Sequence, residues 1–435
     1  MRNIVFLFLL FNFSVIQGQE KEQAIDSTSV VTNSFWDNWY GQLGINMNLL
    51  FPEGHNMKDV FPNGKSFGVN VSAGKWFSPV FGGRFKLNWV NGILNNNHNT
   101  WLAPYGEPGE NHRNGGFITF LGDINFNLHN LFGTYRPDRT WNLIAAPRAG
   151  GWIHVGNGNG APVLGVAVIN TYRLSDKWRL FADVGYHFVS SVNGVFSGKG
   201  SGSNGFADIN IGVEMDLSEN TFHRASDQAN IDSKATVINS FWDNWFAQVG
   251  LGMSLLNPYG TNFANVFPNG NTLGINLGVG KWFSPDAGIR GGLNWQNGII
   301  VNHHASYLEP GEDFEADPNK HGYIVLYADF FFNLHNLIAG YDESRRWNAI
   351  FFPRMGIGRN FSSDYKECPV LGFGTEQTYK INDRLKLFAD LAYQVTTGGF
   401  LDDKFKTGAT GSSGWFDINI GVQYEFGNNK WRKAK

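Results

Sequence analysis

The 435-residue chain has a net charge of −3, which gives no reason to expect a nucleic-acid partner. Its 54 glycines and 15% aromatics suit many strands joined by tight turns rather than helices. The single cysteine, Cys368, excludes an intramolecular disulfide and reads as a small loop or strand residue without chemistry. Met1, Arg2 and Asn3, the apolar run from Ile4 to Ile16 and then Gly18 form a secretory signal, with cleavage expected after Gly18. Beyond it no stretch approaches the ~20 apolar residues of a spanning helix, so a membrane location requires a closed barrel.

One stretch occurs twice. NSFWDNWYGQLGINMNLL starts at Asn33 and NSFWDNWFAQVGLGMSLL at Asn239, an offset of 206 residues that returns at VFPNG (Val60, Val266), GKWFSP (Gly74, Gly280) and FNLHNL (Phe126, Phe332). Solenoid periods are roughly 20–50 residues, so this is a duplicated domain. The expected organisation is a signal peptide (1–18), a polar, disordered periplasmic leader (19–34), a first barrel (35–217), a periplasmic linker (218–238), a second barrel (239–427) and a basic tail (428–435).

Within the first copy, strand signals fall near 35–50, 66–77, 80–94, 115–130, 140–154, 161–174, 177–192 and 204–217. The second copy repeats them near 241–256, 272–283, 286–301, 321–337, 346–360, 369–381, 384–398 and 413–426. Long loops rich in Gly, Asn and Ser mostly alternate with short turns, the pattern of an outer-membrane barrel with both ends in the periplasm. Pro147 and Pro353 interrupt the fifth strand of each copy, where a bulge is expected.

Side chains alternate along these strands. Phe120, Ile124, Phe126 and Leu128 share one face while Asp123, Asn125, Asn127 and His129 share the other. A soluble barrel or sandwich would alternate too, but eight strands enclose little more than their own side chains. The bulky apolar face is therefore expected to meet lipid, with the Gly, Asn and charged face inside. An aromatic girdle at the periplasmic boundary is expected from Trp36, Trp39, Trp76, Trp141, Trp178, Trp242, Trp245 and Trp282. Charges inside must be paired, and the inward positions shared by both copies predict an ion-pair network: Arg84, Asp123, Arg148, Asp183 and Asp208, with Arg290, Asp329, Arg354, Asp390 and Asp417.

Other polar residues read as structural. His129 and His335 lack a second ligand at metal spacing. His98, Glu107, Glu110, His303, His304, Glu309 and Glu312 fall in outer loops, and Lys430, Arg432, Lys433 and Lys435 form a solvated basic end. No GxSxG, HExxH or P-loop pattern occurs, and no cofactor or metal is expected.

At FWDNW, GKWFSP and FNLHNL the chain resembles the amino-terminal barrel of OmpA-type outer-membrane proteins, over almost the whole of each copy. The resemblance implies eight-stranded barrels placed in outer-membrane lipid by the barrel assembly machinery, with a mainly structural or surface-interaction role; the exposed loops are the candidate contact for an extracellular ligand of unknown identity. No peptidoglycan-binding domain is expected after Phe426. The expected architecture is all-β, two tandem eight-stranded antiparallel transmembrane barrels in the outer membrane, without enzymatic activity. A single sixteen-stranded porin for small solutes, an outer-membrane lipid-modifying enzyme and a soluble periplasmic binding barrel are the alternatives.

Overall fold

The computed structural model describes residues 30–32, 34–51, 65–90, 116–133, 135–155, 160–189, 204–224, 236–239, 242–257, 270–297, 322–361, 368–397, 400 and 412–432. The expected signal peptide and the loop residues His98, Glu107, Glu110, His303, His304, Glu309 and Glu312 lie outside them, as do Lys433 and Lys435. The first barrel comprises β1 (Trp39–Phe51), β2 (Lys65–Trp76), β3 (Phe81–Val90), β4 (Phe117–Asn127), β5 (Trp141–His154), β6 (Gly160–Arg173), β7 (Trp178–Val189) and β8 (Asn204–Asp216). The second comprises β9 (Trp245–Asn257), β10 (Asn271–Trp282), β11 (Ala287–Gln296), β12 (Tyr323–Asn333), β13 (Trp347–Asn360), β14 (Cys368–Lys380), β15 (Leu385–Thr397) and β16 (Ser412–Phe426).

Every pairing is antiparallel between neighbours, and each set of eight closes on itself. β8 returns to β1, with Asp216 opposite Tyr40, and β16 returns to β9, with Phe426 opposite Trp245. The sixteen-stranded alternative is thereby overturned, since Trp245 begins a new barrel. Outward positions carry the apolar belt: Leu43 and Leu251 are 62% and 65% exposed, as lipid-facing side chains must be.

The three recurring motifs meet at one rim of each barrel, the rim at which its first strand begins. In FWDNW, Asn38 (φ 62°) and Asn244 (φ 60°) take the left-handed conformation that Asn tolerates better than most residues. The chain therefore turns before the barrel, and β1 starts at Trp39 rather than near 35. The carbonyls of Asn38 and Asn244 accept from Trp76 N and Trp282 N at 3.0 Å each, joining this turn to GKWFSP. Ser78 and Ser284 then close the next turn, accepting from Phe81 N and Ala287 N at 3.1 Å.

FNLHNL does not continue its strand as expected. Asn127 and Asn333 cap two short helices, α1 (Leu128–Phe132) and α2 (Leu334–Ala339), by accepting from Asn130 N and Asn336 N. His129 Nδ1 accepts from Leu143 N at 3.1 Å and His335 Nδ1 from Ala349 N at 2.9 Å, so both rings brace the start of the next strand instead of lining the barrel.

Pro147 and Pro353 produce no bulge. Asp123 pairs with Arg148 and Phe126 with Ala145 in one register, and only the two pairings between them are lost. The same gap separates Asp329–Arg354 from Phe332–Phe351. A missing N–H removes ladder bonds without inserting a residue.

The leader and linker are ordered where they are described. Val30 and Val31 bridge to Arg224 and Val237. Val31 N donates to His223 O, Thr32 N to Thr236 O, Ile238 N to Val30 O and Val237 N to Arg432 O, at 2.8 to 3.0 Å. Four short segments, from the leader, the linker and the tail, are thus fastened together as one strap. Tyr135 and Tyr341 anchor its flanks by accepting from Phe222 N and Trp431 N, and burial raises both phenols above their ordinary range.

The barrels also touch through their walls. Phe81, Ile124, Phe283, Ala287 and Phe330 form one buried cluster flanked by Phe77, Phe126 and Phe332. Its contacts are reciprocal: Phe126 meets Phe283 at 6.0 Å and Phe332 meets Phe77 at 5.7 Å, as an approximate two-fold requires. Asp286, in the turn before β11, faces Lys75 of the first barrel, yet burial pushes its carboxyl up to about 6.

Candidate functional site

The function of a barrel turns on what fills its lumen. Inward positions of the first barrel form three layers. At the mouth where β1 begins, Gln42 donates to Glu214 (2.7 Å) and accepts from Ser72 (2.7 Å), while Arg179 reaches Glu214 (3.1 Å) and also binds Asp216. The Tyr40 ring needs Gly74 beneath it, since a Cβ there would lie 2.3 Å from the ring. Around this mouth lies a vestibule of about 80 Å³, room for a few water molecules.

Above it sits the charged layer. Arg84 binds Asp123 and reaches Asp183 at 2.6 Å. Arg148 spans Asp123 (3.1 Å), Asp183 (3.1 Å) and Asp208 (3.5 Å), and Lys86 bridges Asp208 (2.9 Å) and Asp183 (3.1 Å). His187 Nε2 completes the set 2.8 Å from Asp208 Oδ1. Three cations face three carboxylates with no solvent exposure, the arrangement that buried charge demands. The outer layer is an apolar plug of Leu50, Val90, Phe117, Leu121, Trp152 and Phe206, with His187 stacked on Phe206 at 4.3 Å.

The second lumen has the same layers with a different charge. Arg290 meets Glu376 at 2.5 Å, Asp329 at 2.5 Å and Asp390 at 3.3 Å. Arg354 takes Asp329 at 2.6 Å and approaches Asp417 to 3.7 Å. Two guanidiniums here face four carboxyl groups. Where the first barrel has Lys86 and Leu121, the second has Gly292 and Tyr327, and the Tyr327 ring lies 3.9 Å under the Arg354 guanidinium. Tyr323, Cys368, Phe400 and Trp415 belong to its outer plug, and its vestibule is about 90 Å³.

All ten expected network residues lie in these two clusters. Lys86, His187 and Glu376 are not among the expected set, because the equivalent position of the other barrel holds a different residue type in each case: Gly292, Gln394 and Ile169. The inner plugs were also missed, since bulky apolar residues were expected to face lipid. Trp36, Trp141, Trp178 and Trp242 are exposed, at or just before the ends of their strands. Trp39 and Trp245 begin β1 and β9, each with its ring about 6 Å from a lysine ammonium, Lys75 or Lys281. Trp76 and Trp282 are corrections: both point into the lumen mouth, against Ile144 and Ile169 in one barrel and Phe246 and Phe331 in the other.

No protein-family model and no curated protein matches the sequence. Among solved structures, similar chains include Neisserial surface protein A, at 10% identity and TM-score 0.29 over 42% of this chain and 97% of that one. The attachment invasion locus protein Ail of Yersinia pestis aligns at 8% identity and TM-score 0.24, covering 41% of this chain and 97% of its own. A monoaromatic hydrocarbon channel, CymD, aligns at 10% identity and TM-score 0.17 over 91% and 90% of the two chains. Likeness at this level does not bear on activity. Closed antiparallel barrels with apolar outer belts and charged interiors themselves make the chain an outer-membrane β-barrel protein.

Proposed function

We propose that the chain is a non-enzymatic outer-membrane protein, a tandem duplicate of an OmpA-type barrel, that acts through its outer loops on an extracellular partner while both lumens stay shut to solutes. The barrel assembly machinery and outer-membrane lipids are its partners in placement. The observation that carries this reading is the filling of each lumen: a charged layer with no solvent exposure lies directly beneath an apolar plug. A solute path would have to break several buried ion pairs and displace Trp152 or Trp415.

Planar-bilayer recording of the purified full chain tests it. Near silence is expected, and large, stable openings would refute closed lumens. Incubation with lipid A and phospholipid is expected to give no turnover. Turnover abolished by substituting loop Ser or His residues would replace this reading with the lipid-modifying enzyme.

A further inference from the structure

We infer that the wall between the two barrels is a heterotypic knob-and-hole interface that selects barrel one against barrel two of the same chain over any pairing of like barrels. In lipid the acyl chains are as apolar as the barrel walls, so burying apolar surface supplies no general drive to associate and shape decides the partner. Here the shapes differ at equivalent positions.

The first residues of β3 and β11 are Phe81 and Ala287, both fully buried in the contact. Phe81 stacks on Phe283 of the other barrel with centroids 4.3 Å apart and planes at 11°. The third residues are Gly83 and Ile289, and a Cβ on Gly83 would lie 3.1 Å from the Phe330 ring. Phe330 is itself the eighth residue of β12, where β4 has Ile124. Each barrel thus presents a large residue where its partner presents a small one. Two copies of barrel one would place a Phe81 ring on both sides of the contact, and two copies of barrel two would place only an Ala287 methyl on each side. Overpacking and cavities are both unfavourable at a close-packed contact.

The test uses the full chain in liposomes, with C368S as background and spin labels on two exposed periplasmic turns, at Lys177 and Arg384. Pulsed dipolar spectroscopy of the parent should give one narrow inter-label distance. F81A and A287F should each lose that narrow peak, and the exchange F81A/A287F, which moves the ring to the equivalent position of the other barrel, should recover it. Heat-modifiable gel mobility confirms that each variant has folded barrels. The pair G83I and G83I/F330I reads the same expectation at the second contact, should either ring variant misfold. Protein labelled at Lys177 alone should show no defined distance between copies. Retention of the narrow peak in A287F, an exchange as disordered as A287F alone, or a defined distance in the singly labelled protein would each overturn the inference.

Discussion

Arg148 is the most connected cation of the first lumen, and its removal tests whether the charged layer acts as one unit. Its guanidinium addresses Asp123, Asp183 and Asp208 through three separate nitrogens. Arg148→Met keeps a chain of similar length but leaves Arg84 and Lys86 facing three carboxylates. Breaking a buried ion cluster by deleting one partner costs about 3–5 kcal/mol, because the remaining charge is desolvated and uncompensated. The double variant R148M/D123N restores a balance of two cations against Asp183 and Asp208. It should therefore recover roughly half of the loss or more, a coupling typical of groups in one network. Reversible urea unfolding in phospholipid vesicles, followed by tryptophan fluorescence, measures both quantities. If the double variant is as unstable as the sum of R148M and D123N, the residues are independent and the network reasoning fails.

Two further expectations concern the periplasmic rim. The Asp286 carboxyl has its pKa raised from 3.8 to about 6 in the folded chain, so the folded state holds a proton that the unfolded state releases between those values. Stability therefore falls as pH rises from about 4 to 6, by at most about 3 kcal/mol, and stays lower above that window. D286N should unfold at higher urea than the parent at pH 7.5 and at the same urea at pH 3.5, and an unchanged difference across that range would show that Asp286 does not titrate there. H129A removes the acceptor of Leu143 N, at a cost of about 1–2 kcal/mol. Amide exchange at Leu143 should accelerate while that of strands β1 and β8 stays as in the parent.

The number of strands and the shared inward charges were legible because period-two alternation and the 206-residue offset report them directly. Trp76 was misplaced although the signal was present. Asn70, Ser72 and Gly74 face inward, so parity puts Trp76 inward too, and position near a strand end was the weaker guide. FNLHNL hid its helix because Asn127 and His129 keep strand parity up to the residue whose side chain caps the turn. Glu376 and His187 were invisible to a search for charges common to both barrels. The wall contact could not be read at all, because Phe81, Ile124 and Phe330 are outward apolar residues whether they meet lipid or protein.

The strap also sets an order in which the chain can be completed. Its segments come from the leader, the two ends of the linker and the tail, at 30–32, 223–224, 236–238 and 432. The bond from Val237 N to Arg432 O waits for a residue that follows the last strand of the second barrel. Closure is therefore the final step, available only to a chain that has been exported through Arg432. Of the four backbone hydrogen bonds that build the strap, the one from Val237 N alone depends on a residue beyond the second barrel, so it alone reports that both barrels are in place.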